Sequence, residues 1–311
     1  MIFQFLRASL TRAKQPSFYF TLVETAKSFF QANPGYITPV ALITAVFGTT
    51  FSPEANRCRP YCSRFYSKMT ETFSFDWPAI ICLVVCLGLM PAAYFLTNHY
   101  LPASKNKSRA RFLFAWHAYD ALTHLLIEGS FLWECFTSWA PVAGIHSPEP
   151  FFLNKPDRVY GPAYGTGPSA RLWQEYAKAD RRWAGADITV VSLELLTVLL
   201  GGPAAIYICY LIWKVANAKA LGSAVRGGLK AQLSFAMTVL ATAELYGGFM
   251  TFAPEWLTGS TQLATHDFVY KWVYLVFFNG LWVCIPLWVL RQVWVDGKVA
   301  FVAKETAVKR H

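Results

Sequence analysis

Two ionisable residues stand one helical turn apart inside an apolar part of the chain. Residues 121–131 read ALTHLLIEGSF and carry His124 and Glu128. Ionisable groups in the middle of a bilayer cost about 2.5 to 3.5 kcal/mol each on insertion scales, so they usually face other helices and serve a function. We therefore predict that His124 and Glu128 belong to a functional site within the membrane.

Other polar residues are expected to join this site from neighbouring helices. His117 and Asp120 continue the helical stripe of His124 and Glu128, although they lie nearer the end of the segment, where hydration explains them equally well. Three further apolar segments each contribute a pair of polar or aromatic residues: Glu194 and Thr197, Glu244 and Tyr246, and Asn279 and Trp282. Helices rise about 1.5 Å per residue and would alternate in direction, which brings these groups to similar depths. One pocket could hold them all.

Such a set of groups favours acid–base chemistry without a cofactor. Burial disfavours the charged form of a carboxyl, so a protonated acid and an ionised base can coexist in one site. An aromatic face such as that of Trp282 stabilises a cation by about 2 kcal/mol when water is excluded. Protonating a carbon–carbon double bond makes a carbocation, and removing a neighbouring proton moves the bond. We expect a lipid-like substrate and a double-bond transposition.

Other reaction classes find less support in the sequence. It shows no glycine-rich nucleotide loop, no G-x-S-x-G elbow and no histidine clusters of a membrane di-iron oxygenase. Cys58 and Cys62 lie close together, but no second Cys or His pair accompanies them at zinc-site spacing. We therefore expect neither a cofactor nor a metal.

The composition places the chain among integral membrane proteins. Of 311 residues, 55% are hydrophobic and only 15% are charged, and the mean hydropathy is positive. The formal net charge of +10 gathers in short loops and near the termini. This distribution fits lipid headgroups and the positive-inside rule, and it argues against nucleic acid as a partner.

The apolar segments predict an all-α, polytopic membrane protein with a bundle of five transmembrane helices. A spanning helix needs about 20 apolar residues, and the qualifying segments are 77–98, 112–138, 187–213, 231–253 and 268–293. Basic residues place the C-terminus in the cytoplasm. We divide the chain into an N-terminal extension (1–76) that could lie on the membrane surface, a membrane domain (77–293) and a basic cytoplasmic tail (294–311). Residues 171–183 predict an amphipathic helix at the membrane surface.

Five blocks of this sequence resemble one known family. In chain order they read THLLIEGSF, LWQEYAKADRRW, SLELLT, ELYGGFMTF and VYLVFFNGLWVCIP. In order and wording the chain resembles the emopamil-binding protein family, the sterol Δ8–Δ7 isomerases of the EXPERA superfamily, over residues 77–293. The resemblance implies a five-helix fold in the endoplasmic reticulum membrane and a sterol cavity that opens to the bilayer.

The resemblance also implies a reaction and the residues that perform it. The family shifts the B-ring double bond from position 8 to position 7 through a carbocation, with no cofactor. Its proton-handling residues match His124, Glu128 and Glu194. We assign the stabilisation of the substrate and its cation to Thr197, Asn279, Trp282, Tyr246 and Glu244. The implied partners are a sterol or another isoprenoid, cationic amine inhibitors and membrane lipid, and a homodimer is kept open.

Three features of the chain depart from that family. The family's Y-G-D block reads Tyr246-Gly247-Gly248, and Glu244 replaces a neutral amide. The loop between the second and third predicted helices is longer, and residues 1–76 have no recognised counterpart. These departures leave two alternatives. One is an isomerase or cyclase of a specialised isoprenoid or polyketide pathway, and the other is a sterol- or amine-binding membrane protein without turnover.

Overall fold

The computed structural model describes residues 77–142, 151–218 and 222–308. Within these ranges the chain is mostly helical, as the sequence predicts. The predicted N-terminal extension, with Cys58 and Cys62, lies outside the described residues.

The described part of the chain contains eight α-helices. The α-helices are α1 (Trp77–Tyr100), α2 (Ser108–Leu122), α3 (Gly129–Thr137), α4 (Pro168–Tyr176), α5 (Ile188–Leu196), α6 (Gly202–Asn217), α7 (Ser223–Leu257) and α8 (Asn279–Val308). Three π-helical segments are inserted between or before them: π1 (Thr123–Glu128), π2 (Thr197–Gly201) and π3 (Tyr270–Phe278). Because each π segment joins an α-helix directly, three longer continuous helices result. Helix α2 continues through π1 into α3, α5 continues through π2 into α6, and π3 continues into α8.

Four helices, counted together with the π segments that join them, are long and apolar enough to cross a membrane. They are Trp77–Tyr100, Ile188–Asn217, Ser223–Leu257 and Tyr270–Ala307, and each overlaps one of the predicted segments. The fifth predicted segment, 112–138, lies in the continuous helix from Ser108 to Thr137 but does not qualify. The described part of the chain thus has the several apolar helices of a multi-pass membrane protein.

The largest core cluster joins α1, α2, α6, α7 and α8. Leu113 of α2, Ile208 of α6, Leu240 of α7 and Val289 of α8 are among its buried members. Many large apolar side chains face outward instead, as expected for helices that contact lipid acyl chains: among them are Phe95, Leu199, Phe235 and Trp294. The core therefore holds the helices that carry the predicted site residues in one bundle.

The predicted tail after residue 293 continues the last helix rather than forming a separate segment. Helix α8 extends to Val308, and residues 294–308 contain no proline that would interrupt it. In the second half of this helix, Asp296 makes an ion pair with Arg109 at the start of α2. This contact brings the beginning of α2 next to the second half of α8.

The described residues of the long connection between α3 and α5 (138–142 and 151–187) include side chains that pack against the bundle. It contains two short antiparallel strands, β1 (Trp139–Pro141) and β2 (Arg158–Tyr160), with Trp139 opposite Tyr160. It also contains three 3-10 turns (Phe152–Asn154, Pro162–Tyr164 and Arg181–Ala184). Helix α4 lies between the second and the third of these turns and packs on α1 and α3.

The prediction of a surface-lying helix over residues 171–183 was wrong. Trp173 and Trp183 are buried, and their rings stack with centroids 4.8 Å apart. Both rings also contact Phe131 of α3. An apolar helix face that suits a membrane surface suits a protein core equally well, and here the aromatic rings are buried within the protein.

Candidate active site

The three π segments adjoin the predicted site residues. His124 and Glu128 lie within π1, Thr197 begins π2, and Asn279 directly follows π3. A π turn widens the helix by one residue and is frequent at functional sites. Side chains of the site bond to nearby helix carbonyls: Asn279 Nδ2 donates to the carbonyl of Leu275 at 2.9 Å, and Thr197 Oγ1 to that of Glu194 at 3.1 Å.

His124 is the centre of the cluster. Its side chain is buried, and its Nδ1 lies 2.6 Å from Oε2 of Glu128. Its Nε2 lies 3.0 Å from Oδ1 of Asp120, one turn earlier in the helix, although without hydrogen-bond geometry. Each ring nitrogen therefore faces a carboxyl.

The Nδ1 side of the ring ends in a pair of carboxyls. The carboxyl of Glu128 lies next to the side chains of Glu194 and Thr197. Thr197 Oγ1 also donates to Glu194 Oε2 at 3.1 Å. Two carboxyls in contact can share one proton, which gives an acid and a base at one place. On this side of the ring, the structure brings together four predicted site residues: His124, Glu128, Glu194 and Thr197.

The Nε2 side of the ring ends in a second pair of carboxyls. Asp120 is fully buried and accepts a 2.8 Å hydrogen bond from Nε1 of Trp282. A carboxylate oxygen of Glu244 on α7 lies within 4.8 Å of one of Asp120 and of a ring nitrogen of His124. From the sequence, hydration near the end of the segment explains Asp120 as well as a functional role does. Its position in the stripe with His124 was the signal that could have placed it in the site.

An aromatic wall borders the cluster on one side. The ring of Trp282 lies 5.5 Å from that of Trp116, 5.8 Å from that of Tyr119 and 6.4 Å from that of His124, measured between centroids. Faces of aromatic rings attract cations. Trp282 is thus placed next to the ionisable groups, as predicted.

The hydrogen bonds of Asn279 lead away from His124. Its amide nitrogen bonds the carbonyls of Tyr274 and Leu275, and it lies 3.3 Å from the hydroxyl of Tyr176. Burial raises the pKa of Tyr176, so its hydroxyl remains a neutral phenol. These contacts connect Asn279 to α4 and π3, and none of its described hydrogen bonds reaches His124.

The structure places Tyr246 outside the predicted site. Its side chain is 65% exposed on the outer face of α7. Residues two apart on an α-helix point about 200° apart, so Tyr246 must face outward when Glu244 faces the cluster. His117 is buried but bonds only the carbonyl of Leu113 through Nδ1, at 2.7 Å. Neither residue adds a described hydrogen bond to the cluster.

Two glycines allow α6 to approach His124 closely. A Cβ atom at Gly201 would meet the imidazole at 3.4 Å, and one at Gly202 would meet the Leu125 side chain at 2.9 Å. Small residues let helix backbones come together in membrane proteins. These glycines bring π2 and α6 against the cluster.

Among the described residues, Asp120, His124 and Glu244 offer donor atoms that lie within 4.8 Å of one another. A metal ion could use such atoms, and a proton shared between the two carboxyls satisfies the same geometry. Both carboxyl pairs and the imidazole can hold and move protons. The chemistry that the cluster supports is therefore general acid–base catalysis in an environment with little water.

Comparison with known proteins identifies the fold family. Residues 168–293 match the EBP family, described as EXPERA (EXPanded EBP superfamily). A protein from Oryza sativa subsp. japonica named probable 3-beta-hydroxysteroid-Delta(8),Delta(7)-isomerase is 29% identical over 64% of this chain and 73% of its own length. Its namesake from Arabidopsis thaliana is 29% identical over 59% of this chain and 65% of its own length. A protoglabretal synthase from Ailanthus altissima is 26% identical over 59% of this chain and 66% of its own length. The chain is thus similar to the EBP family over residues 168–293, and to relatives named as probable Δ8,Δ7-isomerases over 64% and 59% of its length.

Proposed function

We propose that the protein is a sterol Δ8–Δ7 isomerase, which moves the B-ring double bond of a sterol without a cofactor. The observation that carries the proposal is the contact of His124 with Glu128, continued to Glu194, inside an apolar helical bundle. Relatives named as Δ8,Δ7-isomerases support the assignment of the substrate.

The mechanism uses the carboxyl pair next to Nδ1 of His124. A protonated carboxyl of the pair Glu128–Glu194 gives its proton to one carbon of the double bond, and the other carbon becomes a cation. A basic group of the cluster then removes a proton from the neighbouring carbon, and the electrons of that C–H bond form the new double bond. One proton enters the substrate and one leaves it, so the reaction is balanced.

The remaining predicted residues support this chemistry. The indole face of Trp282 stabilises the cation, and Thr197 orients Glu194 through its 3.1 Å hydrogen bond. Asn279 positions the wall of the site through Tyr176. Glu244 lies on the opposite side of His124, near Asp120. Cationic amines should bind where the carbocation forms, since they carry the same charge.

The proposal includes a placement in the membrane. We infer that the helix from Ser108 to Thr137 is the fifth span, because its ionisable side chains His124 and Asp120 face the bundle and its flanks carry apolar residues. The C-terminus would be cytoplasmic in the endoplasmic reticulum. The ion pair between Arg109 and Asp296 supports a shared side for the start of this helix and the second half of α8.

The proposal is tested by expressing the full chain in cells that lack their own isomerase. We expect Δ7-sterols to appear with the wild-type chain, and Δ8-sterols to persist with Glu194→Gln. The exposed Glu305→Gln serves as the control. If Δ8-sterols persist with the wild-type chain although it is present in the membrane, the proposal is wrong. Binding of Δ8-sterol without deuterium uptake from heavy water would instead favour the binding protein without turnover.

A second candidate is an isomerase of a specialised isoprenoid. Glu244 replaces a neutral amide and Gly248 an acid relative to the expected family pattern, and one relative is named protoglabretal synthase. The chemistry of the cluster would be the same and the substrate different. Incubation of membranes with Δ8-sterols and with oxygenated triterpenes, followed by mass spectrometry, separates the two substrate classes.

A further inference from the structure

The carboxyl pair on the Nε2 side of His124 has no role in the mechanism above. Asp120 belongs to α2 and Glu244 to α7, and a carboxylate oxygen of each lies within 4.8 Å of the other. Oδ2 of Asp120 and Oε1 of Glu244 are buried, and the structure gives neither a hydrogen-bond partner. Buried polar atoms without partners are costly, so they need a physical reason.

The number of carboxyls around His124 also requires a physical reason. Asp120, Glu128, Glu194 and Glu244 bring four carboxyls around one imidazole, with no Lys or Arg among the described hydrogen bonds and ion pairs of these carboxyls. If all four were ionised beside a protonated His124, the cluster would carry three uncompensated negative charges away from water. Such an arrangement is strongly unfavourable in a medium of low dielectric constant. Protons must therefore be held within the cluster, on both sides of the imidazole.

His124 is placed to connect the two sides. Its two ring nitrogens face different carboxyls, Glu128 at 2.6 Å and Asp120 at 3.0 Å. An imidazole can accept a proton at one nitrogen while it releases another from the opposite nitrogen. Groups that can hold protons therefore follow one another through the cluster, in the order Glu194, Glu128, His124, Asp120 and Glu244.

We propose that Asp120 and Glu244 form a second proton-holding pair, which exchanges protons with the Glu128–Glu194 pair through the imidazole of His124. The inference rests on the proposed isomerase function and adds residues that act through His124. It follows from the position of the pair and from the orphaned carboxyl oxygens.

The proton count closes over one cycle. When the Glu128–Glu194 pair has protonated the substrate, His124 releases its Nδ1 proton to Glu128 and accepts one at Nε2 from the Asp120–Glu244 pair. The proton removed from the neighbouring carbon then enters the series, and the transfers run backward. The cluster ends with the number of protons with which it began, and no proton from bulk water is needed.

The first test is kinetic, on the purified full chain in lipid nanodiscs with a Δ8-sterol. We expect Glu244→Gln and Asp120→Asn each to lower kcat about 100-fold, with KM changed less than about 2-fold because neither residue needs to touch the substrate. The double variant should be no slower than the slower single variant, since both remove the same pair. Glu244→Asp should recover most of the rate. Thr238→Val, on the exposed face of the same helix, is the control.

The outcomes separate this inference from the isomerase assignment. Full kcat in Glu244→Gln, with an active wild type, overturns the second pair and leaves the isomerase proposal intact. A matched fall in thermal midpoint and a raised KM, without recovery in Glu244→Asp, would show a structural role and also overturns it. A stoichiometric divalent metal in the wild-type protein that is lost in Glu244→Gln would replace the shared proton by an ion.

The second test needs no substrate and therefore holds whatever the wild type turns over. Protonated carboxyls give an infrared carbonyl band that shifts in heavy water. The wild-type protein should show this band from both pairs, and Glu244→Gln and Glu194→Gln should each remove a separate part of it. If Glu244→Gln leaves the band unchanged, the Asp120–Glu244 pair holds no proton and the inference is wrong.

Discussion

Trp282 and Asp120 are joined by a hydrogen bond across the bundle. The indole Nε1 on α8 donates to Oδ1 of Asp120 on α2 at 2.8 Å. This bond fixes the plane of the indole, whose ring lies 6.4 Å from that of His124. One side chain therefore orients a carboxyl of the cluster and presents an aromatic face to the same region.

Replacing Trp282 should separate its two roles. Trp282→Phe keeps an aromatic face but removes the hydrogen bond to Asp120, and we expect kcat to fall about 10-fold; Trp282→Leu removes both, and we expect a fall of about 100-fold. Steady-state kinetics with a Δ8-sterol measures both. Trp213→Phe, a partly exposed indole on α6, is the matched control. Equal rates in Phe and Leu variants would show that the aromatic face contributes nothing.

His124 and Glu128 should behave as one unit. Their atoms lie 2.6 Å apart, so removing either partner removes the same interaction. We expect His124→Ala and Glu128→Gln each to lower kcat about 100-fold or more, and the double variant to be little slower than the slower single variant. Losses that multiply fully in the double variant would mean that the two residues act independently.

The sequence predicted the helical class, the apolar segments and the half of the cluster around Glu128 and Glu194. This was possible because an ionisable group in an apolar helix is costly and therefore conspicuous. Asp120 remained undecided since its predicted depth allowed hydration, and only the tertiary contact with Trp282 settles its burial. The prediction for Tyr246 was wrong because it grouped Tyr246 with Glu244 by their closeness in sequence, whereas residues two apart on an α-helix point to opposite sides.

The π segments lay beyond the reach of the sequence pattern. Apolar residues recur at a helical period in α and π turns alike over a few residues, so periodicity does not reveal the extra residue in Thr123–Glu128 or Tyr270–Phe278. The burial of the connection after α3 was missed for a related reason. Its aromatic side chains have the same pattern whether they meet lipid or protein.

Tyr176 should affect the site through Asn279 and not by titration. Because burial raises its pKa, the phenol remains neutral at every pH below that raised value. Tyr176→Phe removes the hydroxyl that lies 3.3 Å from Asn279 Nδ2. We expect a loss of a few-fold in kcat/KM, at the scale of one hydrogen bond of about 1 kcal/mol, and pH profiles that superimpose with those of the wild type. A pH profile that changes shape in the variant would contradict this.

Arg182 should stabilise the connection between α4 and α5. Its guanidinium bonds both carboxyl oxygens of Asp180, donates to the carbonyl of Thr251 at 2.6 Å and lies 3.9 Å from Glu255. We expect Arg182→Met to cost about 3 to 5 kcal/mol, because it leaves buried carboxylates unpaired. The thermal midpoint in detergent measures the loss. The exposed Arg171→Met is the control, and an equal midpoint in both variants would contradict the prediction.

This stabilisation should not depend on pH over the range in which the protein is handled. Burial alone would lower the pKa of Arg182, but the hydrogen bond and charge of Asp180 outweigh it and raise the pKa above its ordinary value. A raised pKa gives stability that is complete below the unfolded value and lost only as the pH rises through the folded one. The difference in midpoint between wild type and Arg182→Met should therefore be constant from neutral to mildly alkaline pH. A difference that shrinks across that interval would show that another group titrates.

Gly161 should be needed for the turn that follows β2. Its φ of 130° lies in a region that other residues avoid, and a Cβ atom there would stand 2.5 Å from Cα of Gly185. Because backbone rather than a flexible side chain blocks the space, we expect Gly161→Ala to cost about 1 to 3 kcal/mol for the conformation alone. Gly167→Ala is the matched control, since its φ is −71° and its Cβ would meet only Ser169 Oγ at 3.9 Å. Thermal midpoints of the two variants that agree within error would mean that the turn relaxes without cost. A lower midpoint in Gly161→Ala with unchanged kcat would instead separate the stability of this connection from the chemistry of the cluster, which lies on other elements.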